Sequence, residues 1–327
     1  MTRAVVLGSG SAVPPRILSN DELSRMVDTN DEWIVQRTGI RERRVTSPEE
    51  TSSTLGTEAA RKALTAANTD PGEIDLVVCA TTSPDYPWPS VACLIQDAVG
   101  ATTAGAFDLS AACAGFVYAL SVGGSMISAG SARKVLVVGA DTLTKQVDWE
   151  DRATCILFGD GAGAVVLGGR EDSERGLIDS VLYSDGSGSK HLLVEAGGGR
   201  YPKCQPHSEG KRASIYMAGR EVYRFGVNAM PDACEKLLAK TGYTADDIDL
   251  FVPHQANIRI IDSAAERLGI PMDKVFVNLE RYGNTSGASI PLALDEAVQQ
   301  GRLKKGMLVM TVGFGGGLAW GANLVRW

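Results

Sequence analysis

Glu58-Ala-Ala-Arg-Lys-Ala-Leu64, followed by Ile74-Asp-Leu-Val-Val78, is written twice in this chain: Asp232-Ala-Cys-Glu-Lys-Leu-Leu238 and Ile248-Asp-Leu-Phe-Val252 repeat it. The offset from Leu76 to Leu250 is 174 residues, and no gap is needed between the two landmarks. Each copy reads as an amphipathic helix, a polar turn and an apolar strand, the unit of a parallel sheet. Val135-Leu-Val-Val-Gly139 has its own echo in Met307-Leu-Val-Met-Thr311, at an offset of 172. A looser third pairs Phe107-Asp-Leu109, ahead of Cys113, with Val277-Asn-Leu279, ahead of Asn284. Three echoes in one order predict two similar α/β halves, residues 1–172 and 173–327, meeting at the charged turn Arg170-Glu-Asp-Ser-Glu-Arg175. Equivalent strand ends of such halves converge at a shared interface, where residues from both can build one site.

A chain of 327 residues can bury a large core, and 37 glycines suit tight turns and close backbone packing in a layered α/β protein. The formal charge of −7 argues against a protein that coats nucleic acid. Six cysteines without a C-x-x-C pair, and only three histidines, give no metal-ligand spacing. Reduced thiols in a cytoplasmic protein are the expectation, since Met1-Thr-Arg3 leads straight into a strand-like run with no export signal. The one uncharged stretch of membrane length, Gly306 to Val325, holds five glycines after Gly306 and reads as two buried strands joined by a glycine turn. Gly8-Ser-Gly10-Ser-Ala-Val13 follows a strand as a dinucleotide loop would. Val13 stands where a third glycine is needed, however, and Pro14-Pro15 block the helix that would receive a pyrophosphate.

The chemistry concentrates at breaks between strands and helices. Asp108-Leu-Ser-Ala-Ala-Cys113-Ala-Gly-Phe116 puts a thiol at the start of a buried helix. There the unpaired N–H groups and the helix dipole favour thiolate, although a buried cysteine can also be merely structural. Pro253 ends a strand and presents His254, within Pro253-His-Gln-Ala-Asn257. Arg281-Tyr-Gly-Asn284-Thr-Ser-Gly-Ala-Ser289 is another tight turn feeding a helix of small residues. Gly313-Phe314-Gly-Gly316-Gly317 lets backbone N–H groups approach a ligand. Taken singly, these could be a satisfied histidine, a capping asparagine and a hairpin bend.

Together they resemble the β-ketoacyl-acyl carrier protein synthase III family of condensing enzymes. The resemblance runs through Asn30-Asp-Glu-Trp33-Ile-Val-Gln-Arg37-Thr38-Gly-Ile-Arg41, Phe158-Gly-Asp-Gly-Ala-Gly163, Pro253 to Asn257, Gly283-Asn-Thr-Ser-Gly287 and Phe314 to Gly317, and so spans essentially the whole chain. It implies an α/β fold of the duplicated, five-layer αβαβα thiolase-like kind, assembled as a homodimer. It implies that Cys113 takes an acyl group from an acyl-coenzyme A, most simply acetyl-coenzyme A. His254 and Asn284 would hold the thioester oxygen of malonyl-acyl carrier protein while carbon dioxide leaves. The N–H groups of Cys113 and Gly316 would form the oxyanion hole, and Phe314 would pack beside the site and favour decarboxylation. No metal or redox cofactor is implied.

For substrate handling, the resemblance assigns Trp33 and Arg152 to stack on the adenine of coenzyme A, with Arg37 and Thr38 on the phosphate and ribose side. Arg224, with Gln255, Ala256, Asn257, Ile258 and Arg259, would receive the acidic carrier protein at the tunnel mouth. Arg220 stands where the family carries a neutral residue, either altering those contacts or pairing with Glu221. Trp88, in Asp85-Tyr-Pro-Trp-Pro89, aligns with the aromatic residue that crosses the dimer to close the acyl pocket. A related enzyme with a pathway-specific primer, and a non-catalytic partner subunit of the same fold, are the alternatives. A degradative thiolase is excluded, because it needs a second cysteine near the C-terminus and the last one here is Cys234.

Overall fold

A computed structural model describes residues 2–171, 173–202 and 205–327. Asp172, at the expected boundary between halves, and Cys204 lie outside the described residues. The first half begins with β1 (Thr2–Ala12), then β2 (Ile17–Ser19), α1 (Asn20–Leu23), α2 (Asp31–Thr38) and β3 (Glu42–Arg44). It continues through α3 (Ser52–Ala66), β4 (Leu76–Ala80), α4 (Val91–Val99), β5 (Gly105–Leu109), α5 (Gly115–Ser128), β6 (Lys134–Thr142) and β7 (Asp160–Glu171). The second half opens with β8 (Gly176–Ser184), β9 (Leu192–Val194), β10 (Ile215–Met217), α6 (Gly219–Thr241) and β11 (Leu250–Pro253). After them come α7 (Ile258–Leu268), α8 (Leu279–Tyr282), α9 (Ser289–Gln299), β12 (Leu308–Gly315) and β13 (Ala319–Arg326).

The two main sheets have the orders β1-β7-β6-β4-β5 and β8-β13-β12-β11. In both, one pair is parallel (β4 with β6, β11 with β12) and the next two strands run antiparallel. Leu76 pairs with Val135 as Leu250 pairs with Val309, so one 174-residue offset carries one register onto the other. The second sheet lacks a full counterpart of β5 and keeps only a bridge between Phe251 and Val275. The physical substitute is Gln255, whose amide donates to the Phe276 carbonyl and accepts from the Asn278 N–H. A side chain thus satisfies backbone groups that a strand ladder would otherwise pair.

Alternation along the strands builds the layers. Leu76, Val78 and Ala80 face a central layer with Phe116, Val117 and Leu120 of α5 and Ile290, Ala293 and Leu294 of α9. Val77 and Cys79 face α3 and α4 on one outer side. Across the molecule, Phe251, Met310 and Val312 meet α6 and α7. The result is the expected five layers, helix–sheet–helix–sheet–helix. Gly306 to Val325 forms the end of a turn, β12 and most of β13, and among the described residues no helix is long and apolar enough to cross a membrane. Gly8 and Gly10 lie within β1, where a Cβ would collide with the α3 backbone from Ala59 to Ala67; they serve close strand–helix packing.

The halves also meet reciprocally at their centre. A Cβ on Gly139 would strike the carbonyl of Gly287, and one on the equivalent Gly313 would come within 3.0 Å of the Cys113 carbonyl oxygen. The third sequence echo is corrected by this geometry. At the common offset the counterpart of Cys113 is Gly287, not Asn284, and each follows a left-handed residue, Ala112 (φ +47°) or Ser286 (φ +51°). Non-glycine residues held there are strained, as at the sharp turns of many active sites.

Candidate active site

Cys113 sits in a one-turn 3₁₀ segment, Ala112–Ala114, between β5 and α5. It is 6 % exposed. The end of β12 lies directly against it: a Cβ on Gly315 would be 2.6 Å from the Cys113 nitrogen. Burial pushes the Cys113 thiol up to about 12, opposed by a hydrogen bond from Ser286, while the charge of Asp141 adds to the rise. Desolvation of the sulfur thus opposes the thiolate that the helix N-terminus favours, and it holds the thiol above its ordinary range.

His254 follows β11, with its N–H on the Val312 carbonyl at 2.8 Å, continuing the ladder by one residue. Its ring is 1 % exposed, and Nδ1 lies 2.6 Å from the Ser289 hydroxyl. Burial pushes its pKa down to about 3, so the imidazole is neutral at physiological pH. The Phe314 ring stands edge-on to it, with centroids 5.7 Å apart. Room for that ring comes from Gly226 of α6, where a Cβ would fall 2.5 Å from Phe314 Cζ. Glycine inside a helix costs about 1 kcal/mol relative to alanine, and here the close approach of the ring requires it.

Asn284 is gripped by the segment preceding β7. Its N–H donates to Leu157 at 2.8 Å and its carbonyl accepts from Gly159 at 3.0 Å. Its Oδ1 accepts the Ser286 N–H at 2.9 Å, which fixes the amide and leaves Nδ2 as the open donor. Cys113, His254, Asn284, Phe314 and Gly315 line one cavity of about 120 Å³. An adjoining chamber of about 370 Å³, also bordered by Cys113, runs between Leu143, Phe158, Leu192, Ile215 and Gly316. A larger groove, about 680 Å³ between β1, α3 and α9, touches none of these residues.

The remaining sequence candidates divide. The Arg152 and Arg37 guanidinium carbons stand 5.1 and 5.6 Å from the Trp33 ring centre, a stacking platform, and Arg152 also donates to the Asp28 carbonyl. Thr38 is a correction: it is 3 % exposed, donating to Ile34 and accepting from Ile40, and so closes the end of α2 instead of facing a ligand. Gln255 is another, because it is buried and its amide bonds the Pro253, Phe276 and Asn278 backbone. Ala256 and Asn257 line the 120 Å³ cavity beside Tyr223, over whose ring the exposed Arg259 lies at 5.7 Å. Asn257 caps α7 and its Nδ2 donates to the Arg37 carbonyl, tying this segment to the Trp33 platform; Ile258 follows as the first helical residue. Arg224 is exposed and pairs with Glu221 at 2.7 Å, which leaves Arg220 without that acid. Trp88 is 83 % exposed and does not line the 370 Å³ chamber.

Sequence reasoning missed Gly226, Gly315, Ser289 and the buried Asp141. Gly315 was visible only as part of a triglycine, and Gly226 as an unexplained glycine in a helical pattern. Nothing local marks Ser289 or Asp141, since their partners are distant in sequence.

A duplicated α/β fold with a buried cysteine from one half, and a neutral histidine and an asparagine from the other, defines a thiolase-type condensing enzyme. Residues 107–186 match the family profile of 3-oxoacyl-[acyl-carrier-protein] synthase III, and residues 238–327 match that of its C-terminal part. A beta-ketoacyl-[acyl-carrier-protein] synthase III of Roseiflexus sp. (strain RS-1) is 52 % identical over 99 % of this chain and 98 % of its own. The crystal structure of 3-oxoacyl-[acyl-carrier-protein] synthase III from Aquifex aeolicus VF5 superposes with a TM-score of 0.92 at 45 % identity, covering 99 % of this chain and 100 % of that one. The priming β-ketosynthase of the R1128 polyketide pathway gives 0.92 at 41 %, over 98 % and 96 %. The chain belongs to the β-ketoacyl-acyl carrier protein synthase III family, whose members are condensing acyltransferases.

Proposed function

We propose that this enzyme condenses a short acyl-coenzyme A, acetyl-coenzyme A first among them, with malonyl-acyl carrier protein, starting a fatty acyl chain. The observation that carries this reading is the convergence of Cys113, His254 and Asn284 on one cavity from opposite halves. In the first half-reaction the Cys113 sulfur attacks the thioester carbonyl, and the N–H groups of Cys113 and Gly316 hold the oxyanion. Coenzyme A departs carrying the proton that the thiol loses, so no net charge is left in the site. Storing the acyl group on sulfur divides a three-body reaction into two ordered steps.

In the second half-reaction the malonyl C–C bond breaks, carbon dioxide leaves, and the electron pair becomes an enolate. His254 Nε2–H and Asn284 Nδ2–H donate to its oxygen, where negative charge develops. Both donors are neutral, so they stabilise the anion without offering a proton that would quench it. The enolate carbon then attacks acyl-Cys113, giving the 3-oxoacyl carrier thioester and a thiolate that regains a proton from solvent. This route needs no metal or redox cofactor.

Trp33, Arg37 and Arg152 bind the nucleotide end of coenzyme A, and Arg224 and Arg259 receive the acidic carrier. The enzyme acts as a homodimer. Support for this is the open edge of β5 beside Phe107, at 39 % exposure, and the exposed Trp88 loop, which would close the neighbour's acyl chamber. The free thiols of Cys79, Cys93, Cys113, Cys155 and Cys234 suit a reducing cytoplasm. A chamber of about 370 Å³ exceeds what an acetyl group fills, and that favours longer or branched primers if Trp88 of a second copy points away.

Primer competition decides between these. Acetyl-, butyryl-, isobutyryl- and octanoyl-coenzyme A are mixed with malonyl-acyl carrier protein, and the 3-oxoacyl products are weighed by mass spectrometry. Predominance of acetoacetyl carrier supports the initiating role. Predominance of a longer product moves the enzyme to a pathway with its own primer, and no product with any primer points to the non-catalytic subunit.

A further inference from the structure

We infer that Ser289 is a positioning residue that locks neutral His254 in the tautomer carrying its proton on Nε2. The inference rests on the condensing reaction proposed above and names the group that aims its histidine. A neutral imidazole has one N–H, and the two tautomers present opposite faces to a substrate: one a donor at Nε2, the other an acceptor. Only the first can bond an enolate oxygen.

Hydrogen counting selects between them. Ser289 Oγ has one proton to give. It accepts the Gln255 N–H at 3.4 Å and stands 2.6 Å from His254 Nδ1. A serine in a first helical turn commonly donates back to a carbonyl three or four residues earlier. Among the described residues Ser289 makes no such bond, so its proton goes to Nδ1 and the ring proton is left on Nε2. Both partners are buried, at 2 % and 1 % exposure, which keeps water from competing for Nδ1. Phe314 holds the ring edge-on at 5.7 Å, so the imidazole cannot turn over freely.

The repeated architecture adds an independent observation. The residues equivalent to His254 and Ser289 in the first half are Ala80 and Gly115. They also touch, and a Cβ on Gly115 would lie 2.9 Å from that of Ala80. The same meeting of strand end and helix start is therefore apolar in the half that supplies the nucleophile. It is a hydrogen-bonded pair only in the half that supplies the donors.

The test begins with the native protein. With three histidines in the chain, ¹⁵N-labelled imidazoles are resolvable by NMR, and His254 is assigned by its loss in His254→Gln. At pH 7 the expected pattern is a neutral ring protonated on Nε2; a ring protonated on Nδ1 overturns the inference whatever the kinetics show. Ser289→Ala is then run through each half-reaction separately. Release of carbon dioxide from malonyl carrier should fall about tenfold to a hundredfold, as when other orienting partners of a histidine are removed. Acetylation of Cys113 should stay within about twofold, because His254 is not asked to donate there. Equal loss in both half-reactions, or none in either, overturns it. If the wild-type enzyme itself releases no carbon dioxide, the condensing reading fails, and the tautomer measurement still decides the role of Ser289.

Discussion

Two turns of the same shape meet at the centre of this molecule, one around Cys113 and one around Gly287. Each follows a residue forced into the left-handed region and each opens a buried helix. They differ in what their backbone amides meet. The Gly287 N–H is taken at 2.9 Å by Asp141, the last residue but one of β6. The equivalent of Asp141 on β12 is Gly315, which has no side chain, and among the described residues the Cys113 N–H has no acceptor beyond its own thiol. One turn is thus sealed by a carboxylate and the other is left open by a glycine. In the proposed mechanism the open amide is the one that receives the oxyanion, and duplication sets a satisfied and an unsatisfied amide side by side.

The largest break in that comparison is Gly315→Ala. Its Cβ would lie 2.6 Å from the Cys113 nitrogen, displacing the open amide. Single-turnover acetylation of Cys113 should slow by about 10²- to 10³-fold, the usual cost of losing an oxyanion donor, with the circular dichroism spectrum unchanged. The sealed turn should fail differently. Asp141 Oδ1 also accepts from Thr82 N–H and from the Ser83 N–H and hydroxyl, at 2.8 to 3.1 Å, so Asp141→Asn turns a donor toward donors. Unfolding free energy should fall by about 3 kcal/mol, read from urea melts, as a loss of stability more than of rate in the folded fraction.

Two smaller effects sharpen the donor side. Gly226→Ala should press Phe314 toward His254 and lower carbon dioxide release by about tenfold, while Cys113 acetylation is nearly unchanged; equal loss in both steps would show a general repacking instead. The pH effect comes from His254. Its folded pKa of about 3 lies below the unfolded 6.5, so the unfolded chain binds the extra proton between those values. Its neutral burial costs nothing above about pH 6.5, and stability declines as pH falls from there toward about 3. His254→Gln should therefore flatten the acid side of the stability–pH curve by up to one proton's slope. Carbon dioxide release should show no titration of His254 between pH 5 and 8.

Much of this was legible in the residues because it is local or repeated. Periodicity and the 174-residue echo predict both halves and their sheets, and strand-end proline and glycine place Cys113, His254 and Asn284 at turns. What sequence cannot display is which neighbour fills a distant space. Thr38 and Gln255 look like exposed polar residues in a binding motif, yet Thr38 turns its hydroxyl onto the local backbone at the end of α2, and Gln255 satisfies backbone that only the folded chain brings near. The thiol illustrates the same limit in energy: its helix N-terminus is readable, while the burial that opposes it depends on Gly315 and the second half. Gly226 is the sharpest case, an apparent flaw in a helix explained by a ring 88 residues later, Phe314.

The most direct measurement is the site of acylation in a single turnover. Purified protein is mixed with isotopically labelled acetyl-coenzyme A, quenched in acid, and mapped by intact-mass and peptide mass spectrometry, with Cys113→Ala in parallel. The proposed chemistry requires one acetyl group per chain on Cys113, none in the variant, and quantitative discharge to acetoacetyl carrier when malonyl-acyl carrier protein is added. Label on another residue, or an acetyl-Cys113 that malonyl carrier cannot discharge, would contradict it.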